Sequence, residues 1–256
     1  MLTLEGSSGN RQRLVSLKAR ERLQRKHSHQ FVNSVLNTRP QIAAFDCDGT
    51  LWAGDAGESF FSWELDQRLV SEDIAEWARG RYAAYRAGKV SEEEMCAEMT
   101  YMHYGLSETL VQTAANQYFD EFFVPQIFPE MRRLVKKLRD QGCEVWAVSS
   151  TNEWMIRAGM RHFDIPPDHI LAASVVVENG IITDEVIRIP SGPGKPEALR
   201  TALKGPLDAA FGNSKWDQQM LEMAARAYAV NPNPDLESFA REKSWRIYFP
   251  DTIESA

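Results

Sequence analysis

The sequence has few cysteines and no long apolar run. Its three cysteines, Cys47, Cys96 and Cys143, are an odd number without paired spacing, which argues against a disulfide framework and favours a reducing compartment. No stretch approaches the roughly 20 apolar residues that cross a bilayer, and the first residues lack the apolar core of a signal peptide. These absences predict a cytoplasmic protein without a transmembrane segment.

Basic residues are scarce outside the N-terminus. The net charge is -7, but residues 1–40 carry +6, so the rest of the chain carries -13. An acidic body argues against nucleic acid as the main partner. The pattern of basic and apolar residues in 1–40 predicts a basic helical arm, with one helix over residues 10–36. Such an arm docks on the body, pairs with a second subunit in a homo-oligomer, contacts an anionic surface, or stays solvated.

The most informative stretch is residues 41–52. An apolar run leads into Asp46 and Asp48, and Gly49 and Thr50 follow. The run predicts a buried parallel strand, with both carboxylates at its carboxyl end, where open α/β sheets bind ligands. Two adjacent carboxylates repel each other, and a hard divalent cation such as Mg²⁺ relieves that repulsion. The alternative is a simple Asx turn that caps the next helix.

Cys47 lies between these two carboxylates. In a strand, its side chain points to the opposite face of the sheet. It is therefore predicted to be a small buried apolar residue and not a nucleophile.

The remaining pattern alternates between helices and strands. The predicted elements are a helical block at 55–126, a helix at 130–141, a strand at 143–148, a helix at 153–162, strands within 170–189 with a turn at 178–180, a helix at 195–204, a strand at 208–211, a helix at 215–225, and strands at 226–230 and 246–249. This order predicts an α/β fold with a doubly wound, mostly parallel sheet. The block at 55–126 is too long for a crossover and predicts a helical-bundle cap, with 41–54 and 127–256 as the core.

Polar residues follow several predicted strands in a fixed order. Asp46 and Asp48 come first, then Ser149 after the second strand, then Lys195 before a helix. Asn213 and Asp217 follow a later strand in the segment Gly-Asn-Ser-Lys-Trp-Asp. Taken singly, these residues also suit a helix cap, a solvated lysine and an Asn-Ser turn.

In this order the motifs resemble the haloacid dehalogenase (HAD) superfamily of phosphohydrolases over residues 41–249. The resemblance implies that Asp46 is a nucleophile that becomes an aspartyl phosphate, and that Asp48 is a general acid and base. It implies that Ser149 and Lys195 bind the phosphoryl group. The helical insert is similar to that of the phosphoserine-phosphatase-like branch.

The fourth motif departs from the family pattern. Asn213 occupies the position where the family has an Asp ligand of magnesium, and an amide brings no charge. The resemblance implies that Asp46, Asp48, Asn213 and Asp217 surround Mg²⁺. Asp217 binds the ion directly, or holds a water molecule or Lys195.

The implied function is magnesium-dependent hydrolysis of a small phosphorylated metabolite. Asp55 and Glu58 are candidates for binding a cationic leaving group, such as that of a phosphoserine-like or phosphocholine-like ester, with Trp52 offering an aromatic face. Both acids also suit the cap of the first helix of the insert. Two other functions stay open: a catalytically weak protein that binds phosphorylated ligands or a protein partner, and a phosphotransferase.

Overall fold

A computed structural model describes residues 26–250 of the chain. The strands are β1 (Ile42–Phe45), β2 (Glu144–Asn152), β3 (Ile170–Glu178), β4 (Ile181–Arg188), β5 (Ala209–Gly212), β6 (Arg226–Val230) and β7 (Arg246–Tyr248). They form one sheet in the order β4-β3-β2-β1-β5-β6-β7. Every neighbouring pair is parallel except β3 and β4, which form an antiparallel hairpin. The predicted α/β fold class is confirmed.

Helices cover the sheet and fill the long insertion after β1. They are α1 (residues 26–36), α2 (Ala56–Asp66), α3 (Glu72–Arg86), α4 (Glu92–Tyr101), α5 (Glu108–Tyr118), α6 (Pro129–Asp140), α7 (Glu153–Met160), α8 (Gly194–Ala202), α9 (Gln218–Met223) and α10 (Pro234–Glu242). Within residues 26–250, no helix combines the length and the apolar character that crossing a membrane requires.

The strand β1 lies at the centre of the sheet because all four of its residues are apolar and buried. Ala43 and Phe45 belong to the apolar cluster on one face, and Ile42 and Ala44 to the cluster on the other. The ring of Phe45 stacks on that of Phe211 in β5, with 4.1 Å between the centroids. Burial on both faces fixes the register of β1, and hence the position of the residues that follow it.

The helices inserted between β1 and β2 pack in two ways. One small apolar cluster, which includes Phe61, Leu65 and Met102, lies within the insertion. Phe60 and Phe119 instead belong to the large cluster of the main body. The insertion therefore has a small core of its own and also shares the core of the sheet.

A buried polar pair within the insertion lies against the body of the protein. His103 Nε2 and Glu64 Oε2 are 2.7 Å apart, and both side chains are fully buried. The ring of His103 also meets that of Trp154 edge to face, at 5.2 Å. Since Trp154 is in α7, this contact ties the insertion to the helix that follows β2.

The described part of the N-terminal arm docks on the body. Phe31 in α1 stacks on Tyr248, with ring centroids 3.9 Å apart, and Val35 is fully buried. Docking was one of the alternatives that the sequence left open for this segment. The rest of the predicted arm, residues 1–25, lies outside the described residues.

Three elements differ from the sequence-based expectation. The helix α10 was not predicted, although Asn233 caps it by accepting a hydrogen bond from the Leu236 amide and Pro234 occupies its first turn. The helix predicted at 215–225 is a 3₁₀ turn followed by the short helix α9. The strand β2 continues to Asn152, four residues beyond the predicted end, with a shift of register against β3.

Candidate active site

The carboxyl ends of β1, β2 and β5 surround a cleft of about 460 Å³. It is lined by Asp46, Asp48, Gly49, Gly54, Asp55, Tyr85, Glu92, Ser149, Ser150, Thr151, Lys195, Asn213, Ser214, Trp216 and Asn231. Most of the residues singled out in the sequence therefore meet at one place. Trp52, Glu58 and Asp217 do not line this cleft.

Lys195 lies at the floor of the cleft between two carboxylates. Its Nζ donates to Asp46 Oδ1 at 2.7 Å, to Asp217 Oδ1 at 2.5 Å and to the Val148 carbonyl at 3.0 Å. Burial by itself would lower the pKa of Lys195, but Asp217 and Asp46 raise it above its ordinary value. The lysine therefore stays protonated, and all three of its hydrogens are used.

Asp46 is a buried carboxylate with two defined partners. Besides Lys195 at Oδ1, it accepts a hydrogen bond at Oδ2 from the Thr50 hydroxyl at 2.8 Å. Burial, followed by the charge of Asp217, raises the pKa of Asp46 to about 6, against the opposing effect of Lys195. At neutral pH Asp46 is therefore mostly an oriented anion.

Asp217 holds Lys195 and does not face the cleft. Its Oδ2 accepts hydrogen bonds from the backbone amides of Asn213 and Ser214, each at 2.9 Å, and its Oδ1 accepts from Lys195. The residue is fully buried. The prediction of Asp217 as a direct magnesium ligand is therefore corrected, because its carboxylate does not line the cleft and is held by Lys195 and two backbone amides.

Asp48 has no basic partner among residues 26–250. Its Oδ1 accepts hydrogen bonds from the Ala56 amide at 2.6 Å and the Trp52 Nε1 at 2.8 Å, while its Oδ2 lies 2.8 Å from the Thr151 hydroxyl. Burial, followed by the charge of Asp55, raises the pKa of Asp48 to about 8. At neutral pH Asp48 is therefore mostly protonated.

Trp52 supports Asp48 from the core. It is fully buried and its ring meets Phe119 edge to face at 5.0 Å. The expectation that Trp52 offers an aromatic face to a substrate is therefore wrong. Its indole nitrogen is directed to Asp48 instead, so its contribution to the cleft is a hydrogen bond.

Ser149 lies in the cleft wall, but not at a helix terminus. Its hydroxyl oxygen accepts a hydrogen bond from the Thr151 amide at 3.1 Å, and the residue is 2% exposed. The helix α7 is capped by Asn152, which accepts from the Met155 amide. The alternative role of Ser149 as a helix cap is therefore excluded, and its hydroxyl lines the cleft beside Lys195.

Asn213 approaches the backbone of Gly49 closely. Gly49 has φ +72°, and a Cβ atom placed there would lie 1.8 Å from Asn213 Nδ2. Asn231 Nδ2 holds the same turn by donating to the Gly49 carbonyl at 3.1 Å. Glycine is therefore required after Asp48 both by the backbone conformation and by the asparagine beside it.

We expect Gly49→Ala to destabilise the protein more than Gly142→Ala. Gly142 has φ +82° and no atom within 4 Å of its added Cβ, so it has the same conformational strain without the clash. The additional loss at Gly49 should be about 1–3 kcal/mol in the free energy of unfolding, measured by urea denaturation. Equal losses of unfolding free energy in the two variants would show that the Asn213 side chain moves aside at no cost.

The oxygen donors in the cleft suit Mg²⁺. No group of three or more His, Cys, Asp and Glu side chains within residues 26–250 has the arrangement of a metal site. Asp46 and Asn213 line the cleft; Asp48 also lines it, but its pKa of about 8 leaves it mostly protonated at neutral pH, and Asp217 does not line it. One carboxylate and one amide fit an ion that keeps several waters and binds substrate phosphate oxygens.

Asp55 and Glu58 begin the helix α2. Asp55 caps it, since its Oδ1 accepts a hydrogen bond from the Glu58 amide at 2.8 Å, and it also lines the cleft. Glu58 Oε1 accepts a hydrogen bond from the Tyr82 hydroxyl. Glu58 faces a smaller pocket that adjoins the cleft. Of the two acids, Asp55 is therefore the one that caps the helix. Asp55 also lines the cleft, so it can face a ligand as well.

Sequence reasoning missed several residues that line the cleft or support its carboxylates. Thr50 orients Asp46, and the Asp-x-Asp-Gly-Thr motif contains it, so that motif was an available signal. Thr151 contacts Asp48, but it is 103 positions away in the chain and gave no local signal. Tyr85 and Glu92 reach the cleft from α3 and α4. Their place depends on how the inserted helices pack.

A comparison with known protein families agrees with this arrangement of the cleft residues. The model of haloacid dehalogenase-like hydrolases aligns with residues 43–222. The chain belongs to this family. The aligned segment runs from β1 to α9 and contains Asp46, Asp48, Lys195 and Asp217. The family predicted from the order of the four motifs is confirmed.

Two relatives with assigned names are phosphatases. A histidinol-phosphatase of Neisseria meningitidis is 27% identical over 219 residues, which cover 80% of this chain and 97% of that protein. A phosphoserine phosphatase of Mycobacterium tuberculosis is 25% identical over 218 residues, covering 80% of this chain and 69% of that protein. The predicted enzyme class, a phosphatase of the HAD family, is confirmed.

Solved structures show the same fold. A protein of unknown function from Bordetella pertussis superposes with a TM-score of 0.72 at 19% identity, covering 81% of this chain and 97% of that one. A phosphoserine phosphatase, solved as an analogue of the phospho-aspartyl intermediate, superposes with a TM-score of 0.55 at 18% identity. That match covers 82% of this chain and 93% of the other. The similarity to the phosphoserine-phosphatase-like branch thus extends to its architecture.

Proposed function

We propose that this HAD-family enzyme is a magnesium-dependent phosphomonoester hydrolase. It acts through an aspartyl phosphate on Asp46. Its substrate is a small phosphorylated metabolite whose leaving alcohol is cationic.

The contrast between Asp46 and Asp48 carries the proposal. The two carboxylates are two positions apart in the chain, yet Lys195 contacts only the first, at 2.7 Å. The pKa of Asp46 is about 6 and that of Asp48 about 8, in both cases raised chiefly by burial. At neutral pH one group is anionic and the other protonated, which are the states that a nucleophile and a general acid require.

In the first half of the reaction, an oxygen of Asp46 attacks phosphorus in line with the leaving oxygen. The bond from phosphorus to the ester oxygen breaks as the new bond forms, and Asp48 transfers its proton to the departing alcohol. Lys195 keeps its own proton and neutralises negative charge beside the phosphoryl oxygens. Ser149 supplies a hydroxyl on the same wall of the cleft.

In the second half, the Asp48 carboxylate removes a proton from a water molecule that attacks phosphorus. The bond to Asp46 breaks, inorganic phosphate leaves, and Asp48 regains its proton. Both steps use the same acid–base group in opposite directions. The hydrogen bonds from Ala56 and Trp52 keep its carboxyl plane fixed throughout.

Asp46 and Asn213 would hold the magnesium ion. When bound, Mg²⁺ supplies positive charge that lets an anionic carboxylate approach an anionic phosphate. Asn213 contributes no charge, so more of the neutralisation falls to Lys195 than in a site with a second acidic ligand. Weaker magnesium binding than such a site would show is the expected consequence.

The acidic rim of the cleft supports a cationic leaving group. Asp55 lines the cleft, and Glu58 faces the adjoining pocket. The substrates named by the two relatives, histidinol phosphate and phosphoserine, both carry an amino group. Phosphocholine carries a permanent cation and belongs to the same class of ester.

The test is magnesium-dependent release of inorganic phosphate from p-nitrophenyl phosphate, followed by a panel of O-phosphoserine, phosphocholine and histidinol phosphate. We expect activity that a chelator abolishes and added Mg²⁺ restores. Purified wild-type protein that releases no phosphate from any of these esters with Mg²⁺ present would overturn the proposal. New phosphate esters formed with added alcohols would instead identify a phosphotransferase.

The acid role of Asp48 predicts a fall in activity at alkaline pH. As pH rises past about 8, Asp48 loses the proton that the leaving alcohol needs, so kcat/KM should decrease. Phosphocholine is the suitable substrate because its ammonium group does not titrate. The Asp48→Asn variant should be strongly impaired and should lack this alkaline decrease. A wild-type profile that stays level to about pH 9.5 would contradict the assignment.

A further inference from the structure

A pocket of about 100 Å³ opens beside the catalytic cleft. We call it the side pocket; it is lined by Asp55, Gly57, Glu58, Tyr82, Tyr85, Arg86, Glu92, Met95, Cys96, Met99, Ser150, Thr151 and Asn152. Thr151 lines both cavities and contacts Asp48. Because Asp48 protonates the leaving oxygen in the proposed mechanism, the side pocket lies on the side where the leaving alcohol extends.

Two tyrosines on one face of α3 fix two carboxylates in this pocket. Tyr82 and Tyr85 are one turn apart, and their rings are 5.9 Å from each other. The Tyr82 hydroxyl donates to Glu58 of α2, and the Tyr85 hydroxyl donates to Glu92 of α4. Glu58 keeps its other oxygen for a further donor, and the other oxygen of Glu92 accepts only a long hydrogen bond from the Cys96 thiol, at 3.9 Å. The tyrosines thus orient the acids without neutralising them.

The side pocket carries an excess of negative charge. Asp55, Glu58 and Glu92 line it, and the donors to their carboxylates within residues 26–250 are all uncharged: tyrosine hydroxyls, a backbone amide and the Cys96 thiol. Arg86 is the single basic residue among its lining residues, all of which lie in the described part of the chain. Three acids against one base favour a cationic occupant.

The walls of the side pocket favour a flat group. Tyr82 and Tyr85 present aromatic rings, and Met95 and Met99 present flexible apolar side chains. The volume of the side pocket is about 100 Å³. Since one water molecule needs roughly 10–15 Å³ of cavity volume measured in this way, the pocket has space for several waters, or for a five-membered ring. An acidic pocket with aromatic and thioether walls suits a planar cation such as an imidazolium.

We propose that the side pocket binds a second, planar cationic group of the leaving alcohol, so that the substrate is the phosphate ester of an amino alcohol bearing an imidazole-like ring. This inference rests on the proposed phosphatase function and specifies its substrate class. Asp55, at the junction of the two cavities, binds the ammonium group. Glu92 and Glu58, held by their tyrosines, bind the ring N–H groups.

The test compares two esters that differ only in the ring. Histidinol phosphate carries an imidazole, and phenylalaninol phosphate carries a neutral phenyl ring on the same skeleton. At about pH 6, where imidazole is largely protonated, we expect wild-type kcat/KM to be at least about tenfold higher for histidinol phosphate. In Glu92→Gln that ratio should fall about tenfold. Glu93→Gln, an exposed neighbour on α4 that does not line the side pocket, should keep the wild-type ratio.

Binding of the product alcohol provides a second measurement that needs no turnover. Calorimetry with the metal-free protein should show tighter binding of histidinol than of phenylalaninol, and Glu92→Gln should weaken histidinol binding about tenfold. Equal kcat/KM for the two esters, in a wild-type protein that hydrolyses p-nitrophenyl phosphate, would overturn this inference and leave the phosphatase function standing. A preference for O-phosphoserine that Arg86→Gln removes would also overturn it, by assigning the pocket to a carboxylate. Absence of hydrolysis of p-nitrophenyl phosphate would instead reject the phosphatase proposal.

Discussion

The Asp46→Asn variant should lose at least about 10⁴-fold in kcat while the fold stays intact. A neutral amide is a poor nucleophile and cannot form the acyl phosphate that the mechanism requires. The loss should appear as absent phosphate release from p-nitrophenyl phosphate at saturating magnesium. A denatured wild-type sample, quenched during turnover and reduced with borohydride, should carry homoserine at position 46 by mass spectrometry.

The stability of the same variant follows from the burial of Asp46. Burial and the charge of Asp217 raise the pKa of Asp46, which means that its charge is unfavourable in the folded state despite Lys195. Removing that charge should leave the melting temperature equal to the wild-type value or higher. An Asn oxygen can still accept the hydrogen bond from Lys195.

Asp66→Asn is the matched control. Asp66 is largely exposed and pairs with Arg79 on the surface, so its loss should leave phosphatase activity at the wild-type level. If Asp46→Asn retained activity within tenfold of wild type in the presence of Mg²⁺, the nucleophile would have to be another group.

The Lys195→Met variant should lose both activity and about 3–5 kcal/mol of stability. The substitution preserves the length and apolar stem of the side chain but removes the ammonium group. Asp46 and Asp217 are then buried near each other without a cation, and the Val148 carbonyl loses its donor. The free energy of unfolding, measured in urea, should report this loss at pH 7.

The pH dependence separates this electrostatic cost from a simple packing defect. In wild type, burial raises the pKa of Asp46, and the positive charge of Lys195 partly opposes this shift. Removal of Lys195 therefore raises the pKa of Asp46 further. A carboxylate whose folded-state pKa is raised stabilises the protein at low pH and loses that contribution as pH rises through the folded-state value. The difference in stability between Lys195→Met and wild type should therefore grow from about pH 5 to pH 8.

Lys204→Met controls for the loss of a lysine. Lys204 is exposed in the turn after α8, and its replacement should change stability by less than about 0.5 kcal/mol at either pH. A stability deficit in Lys195→Met that is equal at pH 5 and pH 8 would show that the lysine acts through packing and not through its charge.

The sequence determined the family, the order in which functional residues follow the strands, and the type of chemistry, which is that of a phosphatase. Apolar runs such as 42–45 form buried strands wherever they lie in a chain of this composition, and parallel strands bring their carboxyl ends to one edge of the sheet. Polar residues placed just after those strands were therefore predictable as neighbours. Asp46, Asp48, Ser149, Lys195 and Asn213 illustrate this, because each lies near the end of an element with a clear local pattern.

Only the tertiary structure decided what each polar group contacts. Whether Asp217 faces a metal or Lys195, and whether Trp52 faces the cleft or the core, depends on side-chain directions that no local pattern specifies. The side pocket is the larger case, since Glu92 and Tyr85 belong to inserted helices that have no register with the sheet. Strand pairing constrains residues through a repeating backbone geometry, whereas helix packing onto a core is set by side-chain shape across distant parts of the chain. For that reason the catalytic edge could be predicted from the chain itself, and the pocket for the leaving group could not.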